Sequence, residues 1–194
     1  LGKEGAVRVL LEEGAAVDAT DKDGGTALME AASCGKEGVM RMLLEKGATV
    51  NVANTHGNTA LIEASRYGKE GAVCMLLEKG ATVDAVNNSG ETALMVAARL
   101  DKKNSVVRML LDNGAAVDAT ALSGHTALIL AARHGSEAAV CSLLEAGATV
   151  DARDKDGATA LMWASHYGQK EGVRLLLEKG AMLDATDKYG ETAL

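Results

Sequence analysis

The chain of 194 residues contains no proline and no phenylalanine, and aromatic residues make up only 2% of it. At the usual proline frequency of about 5% a chain of this length would hold several, so the gap indicates duplication of one proline-free unit. Three cysteines, an odd number, give no disulfide framework and are typical of reduced thiols. No apolar run is long enough to span a membrane. We therefore predict an intracellular protein, cytoplasmic or nuclear, that does not insert into membranes.

Positive charge is also scarce, because the formal net charge is −7 at pH 7 and charges of both signs are interspersed along the chain. Proteins that bind the phosphate backbone of nucleic acids carry a basic stripe or patch. The charge pattern therefore predicts no nucleic-acid partner.

The tripeptide Thr-Ala-Leu recurs along the whole chain, beginning at Thr26, Thr59, Thr92, Thr126, Thr159 and Thr192. The spacings are 33, 33, 34, 33 and 33 residues. A fixed period of this length is typical of solenoids, in which each repeat contacts only its neighbours. We therefore predict a repeat solenoid rather than a domain with one central core.

One copy, residues 154–186, shows what each repeat forms. It opens with Asp-Lys-Asp-Gly, which is turn chemistry. Thr159 then stands where a helix N-cap belongs, and a short helix is predicted over 160–167, closed by Gly168. A second helix is predicted at about 170–179, since its apolar residues recur at helical spacing. Seventeen of the 22 glycines fall at these turns and helix ends, so no phosphate-binding loop is needed to explain them.

The pattern DKDG…TAL…AA…G…LLEKGA…VDA resembles the ankyrin repeat over the whole chain. The resemblance implies an all-α solenoid of helix pairs, each pair preceded by a projecting β-turn or hairpin finger. Two places depart from the family's Thr-Pro-Leu-His motif. Alanine holds the Pro place, and the His place holds Met29, Ile62, Met95, Ile129 and Met162. We therefore expect apolar packing where the family has a polar bridge.

The array divides into a partial repeat at 1–20, complete repeats at 21–53, 54–86, 87–120, 121–153 and 154–186, and a partial repeat at 187–194. Neither end carries the polar capping repeat that solenoids use for solubility, so we expect a longer array or ends covered by other parts of a complex. One repeat is irregular, because Asp101 replaces the helix-ending glycine and one residue is added. This predicts either a tolerated insertion or a local change of path that marks a contact.

In the family that the chain resembles, partners meet the fingers and the outward side of the first helices, a concave surface that we call the finger face. Here it comprises positions 22, 23, 25, 30, 33 and 34 and their counterparts in later repeats. Every tyrosine, tryptophan and histidine of the chain falls on these positions. This favours a binding surface, and the alternative is free drift of exposed positions.

The candidate binding residues are Arg66, Tyr67, Arg99, Leu100, Leu122, His125, Arg133, His134, Trp163, His166, Tyr167 and Tyr189. Aromatic residues anchor interfaces, so Trp163, His166 and Tyr167 form the densest anchoring group, and Tyr67 adds to it.

Arg66, Arg99 and Arg133 recur at one helical position as a ladder that would orient the partner. Acidic residues lie at the other end of the surface, at Asp23, Glu30 and Glu63. The pattern predicts a partner with an acidic and apolar ridge facing residues 54–186. The alternative is that the arginines are solvated and have no partner.

Sequence motifs for metal binding and catalysis are incomplete or missing. Residues 18–30 half-match a calcium loop, but the first ligand position would be Ala19, which cannot coordinate. Cysteines and histidines show no zinc spacing, and no catalytic motif is present. We predict no metal, no cofactor and no enzyme activity. The first hypothesis is a protein-interaction module; the alternatives are a structural scaffold or spacer of a larger assembly, or an engineered consensus array.

Overall fold

The computed structural model describes residues 2–100 and 104–194, and this part of the chain forms eleven α-helices and no β-sheet. The helices are α1 (Gly2–Glu12), α2 (Ala27–Ser33), α3 (Glu37–Glu45), α4 (Ala60–Arg66), α5 (Glu70–Glu78), α6 (Ala93–Leu100), α7 (Ser105–Asp112), α8 (Ala127–His134), α9 (Glu137–Glu145), α10 (Ala160–His166) and α11 (Lys170–Glu178). The predicted all-α repeat solenoid is confirmed. The irregular segment around Asp101 lies outside the described residues.

The first helix of each pair begins at the threonine of the Thr-Ala-Leu tripeptide. The hydroxyl of Thr126 accepts the N–H of Ile129 at 3.3 Å, and the counterparts Thr26, Thr59, Thr92 and Thr159 do the same. Each bond satisfies one of the amide groups that a helix leaves unpaired in its first turn. The predicted N-caps are therefore confirmed. Helix α10 ends one residue earlier than predicted, with Tyr167 as its C-cap.

The fingers form a continuous ladder of backbone hydrogen bonds between repeats. The N–H groups of Thr55, Asn88, Leu122, Lys155 and Lys188 each donate to a carbonyl of the preceding finger, at 2.9–3.1 Å. Within fingers the described residues form only isolated bridges such as Thr20 with Thr26, so the fingers are tight turns rather than extended hairpins. Gly124, at φ +81°, is required here because a Cβ would lie 2.6 Å from the Lys155 nitrogen.

The core runs along the array between the two layers of helices. Four of the six tripeptide leucines, Leu28, Leu61, Leu94 and Leu128, are each 1% exposed, and each first helix packs against the next. The residues in the His place of the family motif are buried as well, with Ile62, Met95 and Ile129 at most 1% exposed. Apolar packing therefore replaces the polar bridge, as expected.

Polar side chains in the connecting loops add a second set of contacts between repeats. The side chains of Asp18, Asn51, Asp84, Asp118 and Asp151 each accept a backbone N–H from the following repeat, at 2.9–3.0 Å. At Asp18 the hydroxyl and N–H of Thr49 lower the pKa of the carboxyl below its usual value, because both bonds favour the charged form. These contacts, with the finger ladder, hold adjacent repeats in one register.

Candidate functional site

The finger face carries five of the twelve large apolar or aromatic side chains that are exposed among the described residues, including all three tyrosines. Tyr67, Tyr167 and Tyr189 are 57%, 46% and 70% exposed, and Leu100 and Leu122 are 45% and 64% exposed. Because burying an apolar or aromatic side chain is favourable, exposed groups of this size are available to a partner. The structure brings one group of them together between the repeats 121–153 and 154–186.

Asp154 is the buried centre of this group. Its Oδ1 atom accepts the N–H groups of Asp156 and Ala158 at 2.8 and 2.9 Å, which forms the turn of the finger. Its Oδ2 atom accepts the indole N–H of Trp163 at 2.8 Å and lies 3.4 Å from Nε2 of His125. One carboxylate therefore joins a finger, the first helix of its own repeat and the finger of the preceding repeat.

The rings pack around Trp163. Tyr167 stacks beside it, with ring centroids 6.0 Å apart and an interplanar angle of 17°, and His125 and His166 approach edge-on at 5.8 and 6.2 Å. The Arg133 guanidinium lies 4.6 Å from the Trp163 ring centroid and donates to the Tyr167 hydroxyl at 3.3 Å. Such geometry is favourable for aromatic pairs and for cation–π contacts. We call Asp154, His125, Arg133, Trp163, His166 and Tyr167 the aromatic cluster.

The arginines do not form a ladder of free charges. Arg66 pairs with Glu63 at 3.4 Å, and Arg99 pairs with Glu91 at 3.0 Å. Arg133 covers the rings of the aromatic cluster instead. Neither sequence-based description of the arginines therefore fits, since they are neither solvated without a partner nor aligned as free donors for an acidic ridge.

The remaining predicted site residues lie outside the cluster. His134 faces its own helix, where Nδ1 lies 2.9 Å from the Leu130 carbonyl. Tyr67, Leu100 and Tyr189 belong to other repeats of the same face, and Leu122 lies on the finger of the repeat 121–153 outside the contacts of the cluster. Sequence reasoning missed Asp154. The only available signal was its place in the turn, where five of six copies hold Asp or Asn, and that place says nothing about a tryptophan.

The environment of His125 favours the neutral imidazole. Burial lowers the pKa of His125 below its usual 6.5, and the nearby Arg133 guanidinium adds to this, whereas the Asp154 and Asp156 carboxylates oppose it. The unfolded chain therefore binds more protons than the folded chain just below about pH 6.5. The neutral imidazole of His125 therefore stabilises the folded chain above that pH. This contribution is lost as the pH falls from there toward the lower pKa that His125 has in the folded chain.

We expect the free energy of unfolding to decrease as the pH is lowered from about 7.5 to about 5.5, with a smaller decrease in His125→Gln. Urea unfolding of both proteins at each pH measures the difference. Equal decreases in the two proteins would show that His125 does not contribute. NMR titration of the ring would measure its pKa in the folded state.

Replacing Asp154 by asparagine tests the bond to Trp163. Asparagine already forms the same turn at Asn54 and Asn87, whose Oδ1 atoms accept two finger N–H groups each. The turn should survive, but the new amide N–H₂ would face the indole N–H. We expect a loss of about 1–3 kcal/mol of unfolding free energy. Asp21→Asn is the control, with an expected change within about 0.5 kcal/mol; equal losses would contradict the assignment.

Other reactive side chains lie away from the cluster. Cys74 and Cys141 sit on second helices, and hydrogen bonds to the carboxylates of Glu78 and Glu145 raise the pKa of each thiol. A raised pKa lowers the thiolate fraction, which is the nucleophilic form. Across residues 2–100 and 104–194, no three His, Cys, Asp or Glu side chains are close enough to hold a metal ion. Within the same residues, no helix is long and apolar enough to cross a membrane.

The described fold is a solenoid of helix pairs joined by a ladder of turn fingers. The family model for ankyrin repeats matches the chain in three copies, over residues 2–87, 82–154 and 139–194. The chain belongs to the ankyrin repeat family. Members of this family are generally protein–protein interaction modules and are typically non-enzymatic. A search of curated proteins found no relative that matches the chain.

Proposed function

We propose that the chain is a non-enzymatic interaction module that binds a partner protein through its finger face, with the aromatic cluster as the anchor. The observation that carries the proposal is the grouping of Tyr167, His125 and His166 around Trp163, whose indole is held by the buried Asp154 carboxylate. Tryptophan, tyrosine and arginine are the residues that most often dominate interface energies.

The mechanism of binding is preorganisation of the anchoring side chains. The indole is held by its bond to Asp154, and the Arg133 guanidinium holds Tyr167 beside it, so their rotamers are restrained before binding. A partner that meets restrained side chains avoids much of the ordering cost of association, roughly 0.5–1.5 kcal/mol for each immobilised side chain. Tyr167 remains 46% exposed, and it therefore offers area that a partner would bury.

The two other arginines have a supporting role in this proposal. Arg66 and Arg99 are each about a quarter exposed and neutralise Glu63 and Glu91. A partner would meet paired charges at these positions, which contribute little to affinity when they stay at a solvated rim. Recognition in that region would depend on Tyr67 and Leu100 instead.

Affinity capture from the source-cell extract, identified by mass spectrometry, tests the proposal. One bait is the chain itself, and a second carries Tyr67→Ala, Trp163→Ala and Tyr167→Ala. A control bait carries Val9→Ala, Leu10→Ala and Leu177→Ala, three exposed apolar residues on second helices. Circular dichroism first shows that all three are folded.

We expect a partner that the chain and the control bait retain and the finger-face variant loses. Equal capture by all three baits, or capture only of the chain itself, would contradict the proposal. It would support the alternative in which the array is a structural spacer that works through its ends and its second helices.

A further inference from the structure

A groove opens beside the aromatic cluster, between α10 and the finger that follows it. Its volume is about 240 Å³. The lining residues are mostly apolar or aromatic at the base and acidic at the rim: Ala158, Met162, Trp163, His166, Tyr189, Thr192, Asp156, Asp187 and Glu191. Arg133 reaches Trp163 from the preceding repeat, whereas the groove is completed by the following finger. Trp163 is therefore shared between the Arg133 contact and the groove.

The rim of the groove carries uncompensated negative charge. Asp156 is paired with Lys188, but Asp187 and Glu191 form no ion pair with any described residue. Asp187 uses Oδ1 to accept the N–H groups of Tyr189 and Glu191 at 2.8 and 3.0 Å, which leaves Oδ2 available. Aromatic walls and carboxylates together favour a cation, because rings attract positive charge at their faces and carboxylates pair with it.

A cation of the chain itself makes both kinds of contact, with a carboxylate and with a ring, at the edge of the same groove. The Lys188 ammonium contacts the Asp156 carboxylate and lies 4.9 Å from the Tyr189 ring centroid. Both of its contacts therefore come from residues that line the groove. A lysine side chain of the protein itself is held by one carboxylate and one ring, while two further carboxylates, Asp187 and Glu191, line the same groove beside Trp163.

We propose that the groove between α10 and the finger of Asp187–Glu191 binds a lysine or arginine side chain of the partner protein. The inference rests on the proposed function and names the partner's chemistry as basic. It replaces the acidic partner ridge that the sequence predicted, because Arg66 and Arg99 are paired with carboxylates and Arg133 covers rings, whereas Asp187 and Glu191 in the groove have no ion pair with a described residue. The partner would place its basic side chain beside the segment that covers Tyr167.

Trp163 is the only tryptophan of the chain, so its fluorescence reports directly on the groove. The probes are the blocked peptides acetyl-Gly-Gly-Arg-Gly-Gly-amide and its lysine and glutamate counterparts, titrated at about 0.1 M salt, where exposed charges more than about 10 Å apart are largely screened. We expect a saturable change in emission with the arginine and lysine peptides and none with the glutamate peptide. For a single side chain the dissociation constant should be on the order of 1 mM.

A charge-matched pair of variants separates the groove from the overall negative charge. Asp187→Asn with Glu191→Gln removes two charges at the rim, and asparagine keeps the turn, as Asn54 and Asn87 do. Asp21→Asn with Glu30→Gln removes two charges on the same face, where Asp21 is the counterpart of Asp187 five repeats earlier. We expect the first variant to bind the arginine peptide about three- to tenfold more weakly, and the second to stay within about twofold, because salt screens distant charges.

A missing saturable response, equal binding of the glutamate peptide, or equal weakening in both variants would overturn the inference. Affinity capture with the groove variant distinguishes this failure from failure of the proposed function. If the Asp187→Asn, Glu191→Gln bait retains the partner as fully as the unchanged chain, while the finger-face variant loses it, then the groove inference fails and the proposed function stands.

Discussion

Replacing Leu128 by alanine is expected to lower the free energy of unfolding by about 2–5 kcal/mol. Leu128 is 1% exposed, and its helix α8 packs against both α6 and α10. The substitution removes buried methyl groups and leaves a cavity at two interfaces between repeats. Because each repeat is stabilised only by its neighbours, a weakened central repeat is also expected to broaden or split the transition. Urea unfolding followed by circular dichroism measures both effects.

Leu122→Ala is the matched control for this prediction. The same atoms are removed in the same repeat, but Leu122 is 64% exposed on its finger. Its substitution should change the unfolding free energy by no more than about 0.5 kcal/mol. Similar losses in the two variants would mean that the core does not run through the leucines of the Thr-Ala-Leu tripeptides.

Trp163→Ala should weaken binding of the captured partner by about 30-fold or more, a loss of roughly 2 kcal/mol or greater. The substitution removes the ring that Arg133 covers and Tyr167 stacks on, and it also removes one wall of the groove. Trp163→Phe keeps an aromatic ring but cannot donate to Asp154, so we expect an intermediate loss. Isothermal titration calorimetry with the purified partner gives both values.

Leu177→Ala on α11 serves as the binding control, because Leu177 is exposed on a second helix. We expect its dissociation constant to stay within about twofold of the unchanged chain. If Trp163→Ala also stays within that range, then the aromatic cluster is not the anchor. The partner would then have to contact another part of the array.

The helices and turns could be predicted from the sequence because the contacts that form them join residues close together in the chain. The threonine hydroxyl that caps a helix reaches an amide only three residues away, as at Thr126 and Ile129. The apolar residues in the His place of the motif were expected to be buried, and Ile62 is fully buried. The one-residue difference at the end of α10 reflects how little energy separates a last helical residue from a cap.

The site was predictable only as a set of positions. Aromatic residues and histidines collect on the finger face in the sequence, and the exposed tyrosines lie there. Which of them touch was not predictable, because Arg133 and Tyr167 are 34 residues apart and meet only when two repeats stack. The same holds for His125 and Asp154, which belong to the fingers of adjacent repeats.

The sequence by itself determined the period, the helix pairs, their caps and the face that carries the unusual side chains, since each depends on spacing within one repeat. Tertiary structure decided which charged side chains form ion pairs and which side chains touch. Folding within one repeat paired Arg99 with Glu91, whereas stacking of repeats placed Arg133 over Trp163 and formed the groove at which Asp187 and Glu191 have no ion pair with a described residue. Each arginine or lysine can contact either a neighbouring carboxylate or a ring. Which contact forms depends on distances that are set only when the chain has folded and its repeats have packed.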